Sequence, residues 1–342
     1  MANQQTQVDV SVIVVNYHSS EEIRKCLTHL GKSEFTGSFE VLLVNNSPGD
    51  GIEKMLTEFP DVILIAPDKN LGFGPACNQA FHAARGAYML LINPDAYIPN
   101  NAVQQGIDYF KSHPKVAVIG AQLLSAEGEL PQPSARCFPT LLDKFFMLSG
   151  LASRYPKSRL FGRVDMTWWD HSHAQRVDWV VGAYFMIRTE MGKKLDWFDE
   201  RFFLYFEELD LCRRIRDHGW EVHYLPQIRV PHVGGACSQD MDPSTVDGAQ
   251  ITIFRLFAEA LYYGKYQGRL GALFRLGFES AWTRLRWFKN RLSGVPAKKE
   301  KARVLLHHIR QIRLSLQETR YGQKVPDHPW HPDPRSYPLW KE

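Results

Sequence analysis

Apolar positions follow two rhythms along the chain. Short, near-continuous runs rich in β-branched residues occupy 9–16 (DVSVIVVN), 39–45 (FEVLLVN), 62–66 (VILIA) and 87–93 (AYMLLIN). Between them apolar residues recur every three or four positions. Ile23, Cys26, Leu27 and Leu30 do so after Ser19 and Glu22, which have the spacing of a capping box, and 50–58 and 75–85 repeat the pattern. Strands apolar on both faces that alternate with helices predict an α/β fold, a mainly parallel sheet flanked by helices.

The rhythm lapses over 125–176, a stretch rich in Pro and Ser that predicts loops with one short helix near 141–148. A strand pattern returns at 177–188 (VDWVVGAYFMIR). In FDERFFLYFEELDLCRRIRDHGW, Leu209, Leu211, Cys212 and Ile215 then give an amphipathic helix closed by Gly219, before the strand and loop EVHYLPQIRVPHVGG.

Beyond about residue 243 the pattern changes to long helices. Leu270, Leu273, Phe274, Phe278, Ala281, Leu285, Phe288 and Leu292 form one stripe, with Arg275, Arg284, Arg286, Lys289 and Arg291 on its flanks. The stripe fits a basic amphipathic helix of the membrane-surface type, and equally a packed helix with a solvated basic face. A second basic helix is expected over 298–316. The division predicted is a domain over 1–242, a helical extension over 243–320 and an extended Pro-rich tail over 321–342.

Charge sharpens this division. The formal net charge of +4 hides fifteen Lys and Arg against four Glu between Ile251 and Arg320, so the remainder of the chain is net acidic. An asymmetry of this kind points to an anionic partner, nucleic acid or anionic lipid. The five cysteines, at 26, 77, 137, 212 and 237, are scattered and lack any C-x-x-C pair, which argues against a disulfide framework or a zinc site. The opening MANQQTQVDVSVIVV is unlike an export signal, and no run approaches the roughly 18 apolar residues of a spanning helix. A cytoplasmic location is expected.

Candidate chemistry collects where the predicted strands end. Asn16, Asn45, and Asn93 with Asp95, all fall at carboxyl ends, where parallel sheets bind ligands; separately, each could be a turn former. Asp95 closes LLINPDAYIPN, and a carboxylate there is poor core material without a partner. A divalent cation that also holds a diphosphate would supply one, although Pro-Asp also simply starts turns. Gly72 and Gly74 in NLGFGPACN let backbone approach a ligand, but Cys77 breaks the G-x-G-x-x-G pattern. Glu207, Glu208 and Asp210 open a helix, where acidic residues suit the macrodipole and where one of them could act as a general base. His232 could be a second metal ligand or a structural histidine, and Trp179 an apolar platform for a sugar or a core residue.

Taken in order, VIVVNY, VNNS, NLGFGPACN, LLINPDA, VDWVVGAYFMIR, FDERFFLYFEELDLCRRIRDHGW and VPHVGG resemble the family 2 inverting glycosyltransferases of the GT-A fold. Within them the likeness is greatest to bacterial rhamnosyltransferases of polysaccharide assembly, and it covers about residues 8–240. The resemblance implies a nucleotide-sugar donor, Mn²⁺ or Mg²⁺ at its diphosphate, and inversion at the anomeric carbon. It places Tyr17, Asn45, Asn46, Asn70 and Gly72 around the nucleoside and Asp95 and His232 at the metal; from their own positions, Asn93 at its strand end and Trp179 as a platform are expected along the donor. Glu208 falls at the catalytic base, with Glu207 beside it and Asp210 in support.

Three positions depart from the family pattern. Asn93-Pro94-Asp95 offers one carboxylate where D-x-D offers two, Asn45 replaces a base-reading Asp, and Glu208 is a methylene longer than the usual Asp, which keeps Glu207 a second choice for the base. The function implied is transfer of L-rhamnose from dTDP-L-rhamnose to a lipid-linked saccharide, by a protein peripheral to the inner membrane and drawn to its anionic surface by the C-terminal helices. A UDP-hexose donor, or a non-catalytic nucleotide-binding or scaffold protein, is the alternative. A sugar-nucleotide pyrophosphorylase would need a Gly-rich loop with Arg and Lys where this chain reads NYHSSEE, and a nucleic-acid binder would leave the acidic crevice idle.

Overall fold

Residues 8–125, 130–233 and 246–326 are described by the computed structural model of the protein. Gly234 and Gly235 of the VPHVGG motif, Cys237 and the tail from 327 lie outside the described residues. The first half of the chain runs β1 (Val10–Asn16), α1 (Ser20–Leu30), β2 (Phe39–Asn45), α2 (Ile52–Leu56), β3 (Val62–Ile65), α3 (Phe73–Ala83), β4 (Tyr88–Ile92), α4 (Ala102–Ser112) and β5 (Val116–Leu124). Short elements follow: β6 (Pro131–Gln132), β7 (Ala135–Arg136), α5 (Leu141–Ser149), α6 (Leu151–Arg154), β8 (Gln175–Val177) and β9 (Trp179–Val180). The chain then forms β10 (Tyr184–Arg188), α7 (Thr189–Lys194), α8 (Glu207–Asp217), β11 (Glu221–Pro231), α9 (Val246–Arg291) and α10 (Pro296–Glu318).

The main sheet has the order β3-β2-β1-β4-β10-β5-β11-β8. β3, β2, β1 and β4 are parallel neighbours, β10 runs antiparallel between β4 and β5, and β11 is parallel to β5. All seven residues of β1 are buried, as a near-continuous apolar run requires. Alternation sends Val10, Val12 and Val14 into a core shared with Ile23, Ile52 and Ile107, and Ile13 and Val15 into another with Ala80, Phe81 and Leu211. Helices α1, α2 and α4 therefore cover one face, and α3 and α8 the other.

Two local expectations are corrected. Ser19 is the N-cap of α1, but its side chain makes no capping bond. Its hydroxyl and amide instead bond Asn16 Oδ1, at 3.2 and 3.1 Å, so a tertiary contact replaces the capping box. The single strand expected over 177–188 is interrupted at Asp178 and at 181–183, so that β8, β9 and β10 pair with different partners.

The chain divides into two compact units. One comprises Met1–Pro139, Ala152–Asp199 and Glu207–Gln239, and the other Thr140–Leu151, Glu200–Phe206 and Asp240–Glu342. In the second unit α9 breaks at Gly268, whose φ of 70° and ψ of −173° interrupt the helix. Leu256, Ala260, Leu276 and Ile312 form a core there between α9 and α10. Arg275, expected on a solvated flank, is buried; its Nε donates to Glu259 at 3.0 Å and its Nη1 to the Thr140 carbonyl. No helix among the described residues is long and apolar enough to cross a membrane.

Candidate active site

The first unit brings the polar strand ends together in sequence register. Asn16 of β1 lies opposite Asn45 of β2, and β4 flanks β1 on its other side. Asn16 Nδ2 donates to Asn45 Oδ1 at 2.9 Å and to Asp50 Oδ2 at 2.6 Å, while Asn45 Nδ2 reaches Asp50 Oδ1 at 3.3 Å. Asn45 Oδ1 also accepts the Ser47 amide at 3.0 Å. Asn46 Nδ2 donates to the Gly72 carbonyl at 2.8 Å, and its Oδ1 accepts the Leu71 amide at 3.1 Å. Asn70 Oδ1 accepts the Gly72 amide at 2.9 Å, and Gly72 itself holds φ at 89°, open to glycine at little cost. Asn45, Asn46 and Asn70 thus fasten the loops that follow β2 and β3, and Asp50 ties Asn16 to Asn45. Tyr17 is half-buried at the tip of β1, edge-on to His18 with ring centroids 4.7 Å apart.

Asp95 sits in a turn just past β4, next to a bridge between Ala96 and His232. The Val233 amide donates to the Asp95 carbonyl at 3.1 Å and the Tyr97 amide to the Pro231 carbonyl at 2.9 Å, so the backbone itself sets Asp95 beside His232. The protonation pattern of the imidazole follows from its neighbours. Gln132 Nε2 donates to the His232 carbonyl at 2.9 Å, which fixes the orientation of the amide. Gln132 Oε1, an acceptor only, then faces Nδ1 at 3.1 Å, so Nδ1 carries a proton. In the neutral ring the lone pair is left on Nε2, 3.4 Å from Asp95 Oδ1 and 3.4 Å from Asn93 Nδ2.

A carboxylate oxygen facing an imidazole lone pair is a donor pair that suits a divalent cation, and an amide holding Nδ1–H is the outer support such ligands usually have. Among the described residues no group of three or more His, Cys, Asp or Glu converges for a metal. Asp95 and His232 would leave most of the shell of such an ion to phosphate oxygens and water, as Mg²⁺ is held on nucleotides.

Glu208 is tied to the segment that leads into β10. The Asn93 amide donates to the Ala183 carbonyl at 3.4 Å, and the Gly182 amide one residue earlier donates to Glu208 Oε1 at 3.1 Å. Burial raises the pKa of Glu208, against the opposing pull of the Gly182 N–H and the Arg136 charge. Glu207, at the first position of α8, is buried, and the charges of both glutamates add to the burial that holds the Cys77 thiol well above its ordinary value. The chain enters α8 through Tyr205 and Phe206, both left-handed at φ of 70° and 72°, a strained pair of the kind that concentrates at functional sites. Asp210 is fully buried and bound to Arg214 at 2.7 Å, and Arg214 also holds the Leu195 and Trp197 carbonyls at 2.5 and 2.6 Å. Its carboxylate therefore steadies the start of α8 and the turn at 195–197.

Trp179 donates its indole N–H to the Cys137 carbonyl at 3.2 Å, and the Arg136 guanidinium lies 5.5 Å from the ring centroid. Arg136 also pairs with Asp165 and acts on Glu208. Arg136, Gln132, Asp50 and Gly182 were not singled out from the sequence. A glycine inside the pattern VVGAY was a signal for Gly182; Gln132 and Arg136 lie in the irregular stretch and carried none.

The first unit thus sets a carboxylate and an imidazole side by side just past β4 and β11. Residues 11–171 match the family model described as glycosyl transferase family 2, and the fold is GT-A. It is similar to the N-acetylglucosaminyl-diphospho-decaprenol L-rhamnosyltransferase of Mycobacterium tuberculosis (strain CDC 1551 / Oshkosh), 25% identical over 254 residues that cover 68% of this chain and 78% of the relative. It is also similar to the rhamnosyltransferase WbbL of Escherichia coli (strain K12), 24% identical over 233 residues, 65% of this chain and 83% of that one. Among solved structures, the mannosyltransferase PcManGT from Pyrobaculum calidifontis, in complex with GDP-Man and Mn²⁺, shares the fold at a TM-score of 0.51 with 14% identity, over 91% of this chain and 87% of that one.

Proposed function

We propose that the protein is a metal-dependent inverting glycosyltransferase that moves L-rhamnose from dTDP-L-rhamnose to a lipid-linked saccharide in the synthesis of a cell-surface polysaccharide. The observation that carries the reaction is that Asp95 and His232 meet just past β4 and β11, while Glu208 accepts the Gly182 amide, one residue from the Ala183 carbonyl that binds the Asn93 amide. The rhamnosyl donor and the lipid-linked acceptor rest on the two similar rhamnosyltransferases. Its place is peripheral, at the cytoplasmic face of the inner membrane, with the basic C-terminal helices toward anionic lipid.

When bound, a divalent cation on Asp95 and His232 supplies positive charge for the departing diphosphate. Glu208 accepts the proton of the acceptor hydroxyl, whose oxygen bonds the anomeric carbon as the bond to the nucleoside diphosphate breaks on the opposite face. The Gly182 amide and Arg136 hold the Glu208 carboxylate in place and oppose its protonation. Asn46, Asn70 and Gly72 shape the nucleoside loop, Tyr17 lines it, Asn93 lies along the donor, and Trp179 borders the sugar.

Thermal-shift titration tests the reading. With Mn²⁺, dTDP-L-rhamnose should stabilise the protein most among nucleotide sugars, and Asp95→Ala should lose the metal-dependent part while keeping its own melting temperature. A larger shift with a UDP-hexose would overturn the donor assignment.

A further inference from the structure

The second half of α9, 269–291, is packed inside out. A helix of a water-soluble protein turns its apolar stripe to the core. Here Leu270, Phe274, Leu285, Phe288 and Leu292, spaced four, eleven, three and four positions apart along one side and just past its end, keep between 58% and 69% of their surface exposed. The opposite side, with Ala272, Arg275, Leu276, Glu279 and Thr283, is buried. That inward side carries a charge network. Lys144 Nζ lies 2.6 Å from Glu259 and 2.5 Å from Glu279, Arg275 Nε 3.0 Å from Glu259, and His308 Nε2 2.7 Å from Glu279.

Half a turn about the helix axis would bury the phenylalanines and free these charges. Breaking a buried pair on one side is far costlier than never having formed it, so the network fixes the rotation and holds the apolar face outward. At about 100° per residue, Arg284 and Arg291 border that face on one side and Lys289 on the other, and all three are exposed. One edge opens on a groove lined by Leu273, Gly277, Ala281 and Leu316, with Arg284 and Arg313 in its walls.

We propose that this face is an insertion surface for an anionic lipid bilayer, the helix lying along the membrane plane with Phe274 and Phe288 among the acyl chains and the bordering cations at the phosphates. Apolar residues flanked by cations complement a negatively charged interface on both counts. The proposal gives the membrane contact of the preceding section a mechanism, insertion in addition to charge attraction. It rests on that reading only for its purpose, since binding is measurable without catalysis.

The test is co-sedimentation of the full-length protein with vesicles of phosphatidylcholine and phosphatidylglycerol, beside Phe274→Gln/Phe288→Gln and, as a second variant, Leu285→Gln/Leu292→Gln. Wild type should bind, more tightly with phosphatidylglycerol, and each double variant should lose at least about tenfold in partition, as expected for withdrawing two large apolar side chains from the interface. Wild-type affinity in both variants would leave charge alone as the cause and overturn insertion. A wild-type dimer that becomes monomeric in the variants, with no vesicle binding in either, would assign the face to a second copy and overturn it too. Turnover with a short water-soluble acceptor, measured in parallel, separates the two proposals: no rhamnosyl transfer alongside intact vesicle binding would sink the enzymatic reading and leave this one standing.

Discussion

Gly182→Ala is a selective probe of the base. A methyl group on Gly182 would lie 2.4 Å from Glu208 Oε1, with the next nearest atoms the Glu208 Cδ and Cγ at 3.3 and 3.5 Å. No backbone atom is among them, and the backbone of Gly182 is outside the left-handed region, so alanine can adopt it. The strain falls on one carboxylate oxygen, which must retreat by about 1 Å to restore van der Waals contact, lengthening the 3.1 Å bond from the Gly182 amide. A displacement of about 1 Å at a reacting group costs on the order of 100-fold in rate, about 2.7 kcal/mol. Initial rates of dTDP release should show that loss in kcat, with the donor KM and the melting temperature close to wild type. A kcat within twofold of wild type would refute the reasoning, because the position of the Glu208 carboxylate would then not matter, and the base role would pass to Glu207.

Gln132→Leu removes the acceptor that holds Nδ1–H of His232, and Mn²⁺ affinity followed by electron paramagnetic resonance should weaken about 10–100-fold, as for other supports of metal-bound histidines. Because burial raises the Glu208 pKa, the acid limb of kcat/KM should fall above the ordinary glutamate value of 4.5, and Glu208→Gln should abolish that limb along with turnover. Burial opposes ionisation of Glu279 too, but the hydrogen bond from His308 and the charges of Lys144 and Arg255 outweigh it and lower its pKa. A depressed carboxylate stabilises the fold above its unfolded pKa and loses that contribution as pH falls through the folded value. Unfolding followed by circular dichroism should accordingly show stability draining away below about pH 4. Lys144→Met leaves two buried glutamates short of a cation and should cost about 3–5 kcal/mol at neutral pH.

How much of this was legible in the sequence depends on the range of the interaction. β1, β2, β3 and β4 were found within a residue or so because burial on both faces writes itself into a local run of Val, Ile and Leu. The helix over 269–291 was equally plain from its period, but periodicity does not say which face packs. That was decided by Lys144, more than a hundred residues earlier, and by Glu259 on the same helix before the break at Gly268. Ser19 has the residue type of a capping box and was taken up by Asn16 instead. At the site, Asp95, His232 and Glu208 stood out in the sequence only as candidates at element ends. What orients them was not. Gln132 holds a ring 100 positions away, a contact that leaves no trace in local composition, and Gly182 a carboxylate 26 positions away, marked only by a glycine inside a strand pattern.

The central claim is that a single carboxylate beside β10 takes the acceptor proton while the donor is held elsewhere in the same site. The most direct measurement is the rate of rhamnosyl transfer by Glu208→Gln, set beside its affinity for dTDP-L-rhamnose with Mn²⁺. The account predicts donor affinity within a few-fold of wild type and transfer lowered by at least about 100-fold, the least expected of a lost general base. Transfer at a near-normal rate by that variant would contradict it.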